Sequence, residues 1–136
     1  MRRQRDIRIS GVGYERLQRY CIFMKKVSQR EIYWANLNPT KGSEQAGKRP
    51  VLVVSGNTMN EHLPICIVCP LSTQIKNYST CTLIKKNQTN KLKSDSEVIT
   101  FQVRTISQQR LGRKIGKVSQ SQLQDVIAKI GQLLIY

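Results

Sequence analysis

Residues 31–55 read EIYWANLNPTKGSEQAGKRPVLVVS, a stretch in which two strand patterns flank a polar loop. Residues 31–37 combine β-formers with partial alternation, and residues 50–55 form a valine and leucine run of the kind buried on both faces of a sheet. Between them, residues 38–50 contain two glycines, which permit positive φ, and two prolines, which fix φ at the ends of the loop. The stretch predicts two strands joined by a tightly folded loop.

The loop has the charges expected of a phosphate site. Lys48, Arg49 and Glu44 place two cations beside a carboxylate between the strands. The guanidinium of Arg49 is planar and permanently charged, so it can hold two phosphate oxygens at once. A polar connection whose charges only face water is the alternative interpretation, because loops with glycine and proline are common.

Further short strand patterns lie on the C-terminal side of this stretch. Turn residues separate them at near-regular intervals, which is typical of a small barrel. The predicted fold class is mainly β, a small SH3-like barrel of antiparallel strands, with a C-terminal α-helix. The remaining strands are predicted at residues 64–71, 80–85 and 97–103, a link or one helical turn at 57–62, a polar hairpin loop at 87–96 and a further helical turn at 107–111.

The C-terminal helix is predicted from its cap and its apolar face. Ser119 is followed three residues later by Gln122, which is a capping-box pattern. An apolar stripe at helical spacing should cover an open side of the sheet, and a helix that binds a partner is the alternative. The stripe consists of Leu123, Val126, Ile127, Ile130, Leu133 and Leu134.

The chain is strongly basic and long enough for one domain. Its 136 residues include 23 Lys and Arg against 8 Asp and Glu, a formal net charge of +15. Residues 1–30 hold nine of the basic and two of the acidic residues, so the remainder still has a charge of +8. Such a field attracts polyanions, and nucleic acid or an acidic protein is the expected partner.

The N-terminal residues are predicted to lie outside the domain. Residues 1–27 are basic and poorly patterned, so we expect an extension that is disordered or not native, followed by a folded domain at 28–136. Met24 and the two lysines after it are typical of a translation start, which would make residues 1–23 upstream sequence. The apolar cluster at 20–24 is too short for a signal peptide or a membrane span, and a cytoplasmic protein without membrane contact is expected.

No metal and no cofactor are expected. Cys66 and Cys69 have the two-residue gap of a zinc knuckle, but no second pair exists, and the single histidine, His62, leaves the ligand set incomplete. Residues three apart on a strand also face opposite sides of the sheet. Reduced thiols in a core or loop are the expected state.

Residues 31–55 resemble the opening motif of the MazF/PemK family of toxin endoribonucleases of type II toxin-antitoxin systems. The likeness continues more loosely through residues 69–74, CPLSTQ, and 102–106, QVRTI, and covers residues 28–136. It implies a PemK-type barrel and a homodimer that cuts single-stranded messenger RNA in a groove across the subunit interface, selectively for sequence and without metal. It also implies a cognate antitoxin whose acidic, flexible segment occupies that groove.

The resemblance assigns catalytic roles to individual residues. Arg49 matches the catalytic arginine, and Ser72 matches a threonine at the end of the third strand, with Thr73 beside it as an alternative hydroxyl. Glu44 matches a glutamate near the active site, where it could orient Arg49 or, if buried, accept the 2′-hydroxyl proton. Because the chain has one histidine, acid–base catalysis by two histidines is not available, and stabilisation of the phosphate charge is the central task.

Substrate contacts are expected from the loops. Several relatives have an acidic residue immediately before the Gln-x-Arg segment, whereas this chain has Phe101, so a base at that place is not carried over. Phe101 is either a stacking surface for an unpaired base or a core aromatic. The substrate-binding residues implied are Lys48, Gln45, Gln74, Lys76, Asn77, Tyr78 and Phe101.

Two features outside the motif have plainer interpretations. Tyr33 and Trp34 are expected to be packing anchors. Four lysines near the predicted hairpin loop either attract RNA at long range or form a solvated basic face. They are Lys85, Lys86, Lys91 and Lys93.

Two other functions remain open at this point. One is a non-catalytic toxin of the same barrel that poisons DNA gyrase through its C-terminal helix, as CcdB-like relatives do. The other is a basic barrel that binds RNA without cutting it. The loop at residues 38–50 favours the nuclease, because gyrase poisons usually lack it.

Overall fold

The computed structural model describes residues 26–38, 40–42, 44 and 47–135. Nearly all of the predicted extension at residues 1–27 therefore lies outside the described part of the chain, as do the expected start at Met24 and the apolar cluster at 20–24. The boundaries of the extension and the domain stay predictions.

Within the described residues the sheet has seven strands, and every strand pair is antiparallel. The strands are β1 (Glu31–Asn36), β2 (Lys48–Val53), β3 (Ile65–Ser72), β4 (Thr82–Ile84), β5 (Ser96–Val98), β6 (Arg104–Ser107) and β7 (Leu111–Lys117). The helices are α1 (Asn57–His62) and α2 (Gln120–Gln132), and two 3₁₀ turns occupy Thr100–Gln102 and Gln108–Arg110.

The strand order confirms the predicted fold class, a mainly antiparallel β-fold with a C-terminal helix. The strands follow the order β4-β5-β3-β2-β1-β7, and β6 also pairs with β3. Within the described ranges β4 and β7, at the two ends of this order, do not pair with each other, so strand pairing does not close the barrel. The helical turn predicted at 57–62 and the turn predicted within 107–111 are both present, as α1 and the second 3₁₀ turn.

The single strand predicted at residues 97–103 is wrong. The 3₁₀ turn at Thr100–Gln102 separates β5 from β6, and both strands pair with β3. Strand β6 pairs with the first half of β3, and β5 pairs with its last two residues. The break depends on how two short strands share one edge of β3, which is a tertiary requirement that local propensity does not contain.

Strand β7 is absent from the sequence-based prediction. Its residues, LGRKIGK, include two glycines and three cations, a composition depleted in strands. Pairing with β1, from Glu31 opposite Lys117 to Ala35 opposite Leu111, holds these residues in the sheet. Position next to β1 therefore outweighs the weak strand propensity of β7.

Two apolar clusters occupy the two faces of the sheet. Leu52 of β2 belongs to one cluster, whereas Val51 and Val53 belong to the other, as the period of two in a strand requires. Cys69 and Cys66 of β3 divide between the clusters in the same way. This confirms the prediction that the two thiols face opposite sides of the sheet.

Helix α2 has the predicted cap. The Ser119 hydroxyl accepts a hydrogen bond from the Gln122 backbone N–H at 3.1 Å, and the Gln122 side chain accepts one from the Ser119 N–H at 2.9 Å. These reciprocal bonds form a capping box and satisfy two donors that the first turn of a helix otherwise leaves unpaired. In the described part of the chain no helix has the length and apolar character needed to cross a membrane.

The apolar stripe predicted on α2 is only partly buried. Leu123 and Val126 lie in the cluster that contains Leu52, and Ile130 packs against it. Ile127 is 44% exposed and Leu134, beyond the last helical residue, is 82% exposed. The helix covers the sheet as predicted, but with a narrower face.

Candidate active site

A cavity of about 510 Å³ opens where β2 begins and β3 ends. Lys48 and Arg49 of β2, Ser72 of β3, and Thr73 and Gln74 after it all line the cavity. The loop between β4 and β5 and strand β7 form the remaining walls. Five predicted site residues from two separate stretches of sequence therefore meet at one place.

Strand pairing brings the two stretches together. Val51 of β2 is opposite Pro70 of β3, and Arg49 and Ser72 each lie two residues from this pair, toward the same end of the two strands. The pairing of β2 with β3 therefore brings Arg49 and Ser72 to the same end of the sheet, where both line the cavity.

The wall of the cavity is positively charged. Lys48, Arg49, Lys91, Lys93 and Arg113 line it, and among the described lining residues none is acidic. A cleft lined by charges of one sign focuses the field and raises the local concentration of the opposite ion. The cavity therefore suits a polyanion, and its described lining residues offer none of the carboxylate oxygens that Mg²⁺ prefers.

The Ser72 hydroxyl is held in place by the chain that follows it. Its oxygen accepts a hydrogen bond from the Gln74 backbone N–H at 3.1 Å. Because the hydroxyl is the acceptor in this bond, it keeps its own proton for donation to a ligand. Ser72 is half-buried, whereas Thr73 and Gln74 are exposed.

The β1–β2 loop is closed at its base by hydrogen bonds. Gly47 N–H donates to the Asn38 side-chain oxygen at 3.0 Å, and the Arg110 guanidinium donates to the Asn38 carbonyl at 2.8 Å. Gly42 and Gly47 have φ of +59° and +78°, which confirms the predicted use of positive φ. The closed loop fixes the start of β2, where Arg49 lies.

Glu44 does not fit a role as base. Its side chain is exposed and accepts a hydrogen bond from the Lys41 backbone N–H at 2.7 Å, within the loop. It is not among the residues that line the cavity, and the burial that the base role requires is absent. Gln45, a predicted substrate contact, lies outside the described residues.

The loop after β3 is held by a buried carboxylate that sequence reasoning did not identify. Glu97 is 2% exposed and accepts hydrogen bonds from the backbone N–H groups of Lys76 and Tyr78, at 3.0 and 3.1 Å. Asn77, between those two, has φ of +57°. Lys76, Asn77 and Tyr78 do not appear among the described lining residues of the cavity. They lie on the loop that follows Gln74, which is held by the hydrogen bonds to Glu97.

Phe101 is on the surface. It is 46% exposed, and its ring makes an edge-to-face contact with Tyr78, with centroids 5.3 Å apart and planes at 85°. The interpretation of Phe101 as a core aromatic is therefore wrong. The two rings form an exposed aromatic pair of the kind on which bases can stack.

The cavity also includes charged and aromatic residues that were not among the predicted site residues. Lys91 and Lys93 come from the β4–β5 loop, Arg113 comes from the unpredicted strand β7, and Trp34 comes from β1. Tyr33 is 1% exposed, as expected of a packing anchor, whereas Trp34 is half-buried and lines the cavity. The alternation of β1 was the available signal, because Trp34 points away from the side that buries Tyr33.

The thiols and the histidine lie away from the chemistry. Burial raises the pKa of Cys66 to about 11 and that of Cys69 to about 12, so both stay protonated at neutral pH and inert as nucleophiles. The His62 Nδ1 lies 2.8 Å from the Thr58 carbonyl oxygen, on α1. The described residues contain no group of three or more His, Cys, Asp or Glu side chains that could hold a metal ion.

Comparison with known families gives one match over most of the chain. The model of the family described as "PemK-like, MazF-like toxin of type II toxin-antitoxin system" matches residues 28–134. The match spans β1 to α2 and includes every residue that lines the cavity.

Solved structures of proteins from several species are similar to this chain, among them the following three. MazF from Deinococcus radiodurans is 24% identical, with a TM-score of 0.72 over 82% of this chain and 98% of its own. The Mycobacterium tuberculosis toxin MazF-mt6 is 28% identical, with a TM-score of 0.65 over 77% of this chain and 96% of its own. An endoribonuclease in complex with its cognate antitoxin from a mycobacterial species is 18% identical, with a TM-score of 0.66 over 79% and 94%. The first and third bear on the fold alone.

Proposed function

The chain belongs to the PemK-like, MazF-like toxin family of type II toxin-antitoxin systems, and from that premise we propose that it is a metal-independent, sequence-selective endoribonuclease of single-stranded messenger RNA. The observation that supports this most strongly is the cavity in which Arg49 and Ser72 lie on adjacent strands within a cationic wall. Cutting messenger RNA would stop translation and growth, which is the action expected of a toxin.

The proposed reaction is internal transesterification. The ribose 2′-oxygen loses its proton and attacks the adjacent phosphorus, and the bond from phosphorus to the 5′-oxygen breaks as that oxygen gains a proton. The products are a 2′,3′-cyclic phosphate and a 5′-hydroxyl. Negative charge grows on the non-bridging oxygens in the transition state, and stabilising it is the largest task for the protein.

Arg49 is proposed to stabilise that charge. Its planar fork can donate to two non-bridging oxygens, and its position at the closed base of the β1–β2 loop holds it before the substrate binds. Ser72, which lines the same cavity, is proposed to donate a hydrogen bond from its hydroxyl to the same phosphate, and Thr73 is the neighbouring alternative. Glu44 is proposed to act only on the shape of the loop.

Base recognition is proposed to come from groups around the cavity. Lys48 and Gln74 line it and can contact the strand near the scissile phosphate. The Tyr78–Phe101 pair offers exposed aromatic faces for an unpaired base. Lys76, Asn77 and, in the β1–β2 loop, Gln45 complete the proposed set of substrate contacts.

The proposed partners follow from the family and from the charge. A mycobacterial relative is an endoribonuclease in complex with its cognate antitoxin, and MazF of Deinococcus radiodurans is known in complex with MazE. We propose a homodimer of this chain with an RNA groove across the interface, neutralised by an antitoxin that has an acidic, flexible segment. The formal charge of +15 supports both the RNA and the acidic segment as ligands.

Incubating the purified protein with a long single-stranded RNA in EDTA tests the proposal. We expect discrete fragments, and mass spectrometry of their ends should show cyclic phosphates and 5′-hydroxyls. Intact RNA that shifts on a native gel would instead indicate an RNA-binding barrel. Intact RNA without a shift would leave gyrase poisoning, which a supercoiling assay measures directly.

A further inference from the structure

The four lysines around the β4–β5 loop divide into two pairs. Lys91 and Lys93 line the cavity that contains Arg49, whereas Lys85 and Lys86 are not among its described lining residues. All four side chains are exposed, and each pair contributes the same charge. Long-range attraction would not distinguish the pairs, but direct contact with a bound ligand would.

The loop that contains Lys91 and Lys93 is held by the side chains of two asparagines. Asn90 is fully buried, and its Oδ1 accepts hydrogen bonds from the backbone N–H groups of Asn87 and Leu92, both at 3.0 Å. Its Nδ2 donates to the Lys85 carbonyl at 2.9 Å, which ties the two sides of the loop together. The Asn87 side chain accepts from the Asn90 N–H at 2.8 Å. The lysines therefore extend from a fixed backbone.

The same loop is seated on strand β7 through a glycine. A Cβ at Gly116 would lie 2.3 Å from the Asn90 carbonyl oxygen and 2.7 Å from that of Thr89. Only a residue without a side chain allows this approach. The contact places Lys91 and Lys93 beside Arg113 of β7, on one wall of the cavity.

The basic wall continues past the cavity along β7. A second depression of about 370 Å³ shares Lys91 and Ile115 with the cavity and is also lined by Lys117. Lys114 lies there too, but its ammonium is 2.6 Å from the Glu31 carboxylate, which neutralises it. Among the described residues, the cations along this path that are not paired with a carboxylate are Lys91, Lys93, Arg113 and Lys117.

The only carboxylate in the loop does not interrupt this path. Asp95 accepts a hydrogen bond from the Lys86 backbone N–H at 2.9 Å and is not one of the described residues that line either depression. It lies with the second pair of lysines, so the two sides of the loop differ in charge. The side that faces the cavity is uniformly basic.

We propose that Lys91, Lys93, Arg113 and Lys117 form a backbone-phosphate tract that binds the nucleotides on one side of the scissile linkage. The ligand is single-stranded RNA, because the tract is continuous with Arg49 and Ser72, the groups proposed to hold the phosphate that is cut. An RNA strand whose scissile phosphate is bound at Arg49 then has its next phosphates on this backbone-phosphate tract. The tract rests on the proposed function and adds the path that the strand takes across this face.

Salt-dependent binding of a non-cleavable strand tests the tract. The probe is a fluorescent 12-nucleotide 2′-O-methyl RNA, which has the phosphates but no attacking hydroxyl, so binding is measured even if the protein cuts nothing. Each phosphate contact to a single strand contributes about 0.7 to the slope of log K against log salt. We expect Lys91→Ala/Lys93→Ala to lower that slope by about 1.4 and to weaken binding about tenfold at 0.1 M salt.

Lys85→Ala/Lys86→Ala is the matched control, with the same loss of charge from the same loop. We expect it to change the slope by less than half as much. Equal effects of the two pairs, or no effect of either, would overturn the proposal. If Lys91→Ala/Lys93→Ala weakened binding of a glutamate-rich peptide but not of the oligonucleotide, the tract would belong to a protein partner, and the proposal would also be wrong.

Thermal unfolding of each variant shows whether it is folded. If Lys91→Ala/Lys93→Ala does not fold, Lys91→Gln/Lys93→Gln is used in its place. Failure of the tract and failure of the nuclease are separate results. If the wild-type protein cuts long RNA and both double variants bind the 2′-O-methyl strand as tightly as the wild type does, the tract is excluded but the nuclease is not. Wild-type protein that binds the 2′-O-methyl strand through Lys91 and Lys93 but cuts nothing would remove the nuclease alone.

Discussion

The two ends of β3 both hold polar side chains, but they use them differently. Around Ile65, at the N-terminal end of β3, the Ser55, Asn60 and Gln108 side chains are buried and hydrogen-bonded to protein atoms. We call this the network end, and the opposite end, near Ser72, the cavity end. At the cavity end, Ser72 is half-buried and opens on a cationic cavity. Polar groups that face inward and are fully paired determine the fold, whereas polar groups that face a charged cavity are available to a ligand.

The network end is centred on two amides. Asn60 exchanges hydrogen bonds with Ser55, through its side-chain oxygen at 2.5 Å and its nitrogen at 2.9 Å. The Gln108 Nε2 donates to the carbonyls of Asn60, Leu63 and Ile65, at 2.9 to 3.1 Å. These bonds tie α1 and the turn after β6 to the start of β3, so this end should contribute to stability and not to cleavage.

Removing hydroxyls at the cavity end should give a large loss of activity. We expect Ser72→Ala/Thr73→Ala to lower the cleavage rate at least about 100-fold, because a donor to the transition state is worth about that much. The free energy of unfolding should stay within about 0.5 kcal/mol of the wild-type value, since neither position is in the core. Single-turnover cleavage and urea unfolding measure the two quantities, and the single variants show which hydroxyl acts.

Gln108→Leu should show the reverse pattern at the network end. It leaves three carbonyl groups without their shared donor, so we expect a loss of about 2 to 3 kcal/mol in the free energy of unfolding. Cleavage by the folded fraction should match that of the wild type. Gln109→Leu, at the exposed neighbouring position, is the control and should cost little. A slow but stable Gln108→Leu variant would break the distinction between the two ends.

Gly116→Ala should lower both stability and RNA binding, because Gly116 packs against the β4–β5 loop, which contains Lys91 and Lys93. The new methyl group would meet the Asn90 carbonyl oxygen at 2.3 Å, so the loop must shift. We expect a loss of about 1 to 2 kcal/mol in stability and severalfold weaker binding of the 2′-O-methyl strand. Gly131→Ala, where a Cβ meets nothing within 4 Å, should leave binding unchanged.

The smallest predicted effect concerns pH and the carboxylate of Glu31. Burial raises its pKa, but hydrogen bonds from Lys114, Tyr33 and the Ser28 backbone outweigh burial, so its pKa lies below the ordinary value of 4.5. A lowered pKa stabilises the fold above the unfolded value and loses that contribution as pH falls through the folded value. Glu31→Gln should therefore cost about 1 kcal/mol at pH 7, and the difference from wild type should shrink below about pH 4. A constant difference across this range would contradict the assignment.

The sequence predicts most of the fold for physical reasons that are local, and the two residues proposed for the centre of the candidate site line one cavity. A few adjacent residues determine the start of the C-terminal helix, through the capping box at Ser119 and Gln122, and the strand predicted from the apolar run at 50–55. Arg49 and Ser72 were identified from a motif, and the antiparallel pairing of two predicted strands brings them together. Each of these features depends on short-range pattern or on neighbouring strands.

The remaining features depend on contacts that no local pattern contains. Arg113 was missed because β7 has weak strand propensity and is held by β1. Lys91 and Lys93 could not be separated from Lys85 and Lys86, because their difference arises where Asn90 meets Gly116. Their distinction required the packing of the loop on the sheet.

The most direct test of the account is single-turnover cleavage of RNA in EDTA by Arg49→Ala, with Arg49→Lys and Lys86→Ala beside it. We predict that Arg49→Ala cuts at least about 100-fold more slowly than wild type with an unchanged Tm, that Arg49→Lys is intermediate because it keeps the charge but loses the fork, and that Lys86→Ala is unaffected. Cleavage by folded Arg49→Ala within threefold of the wild-type rate would contradict the account.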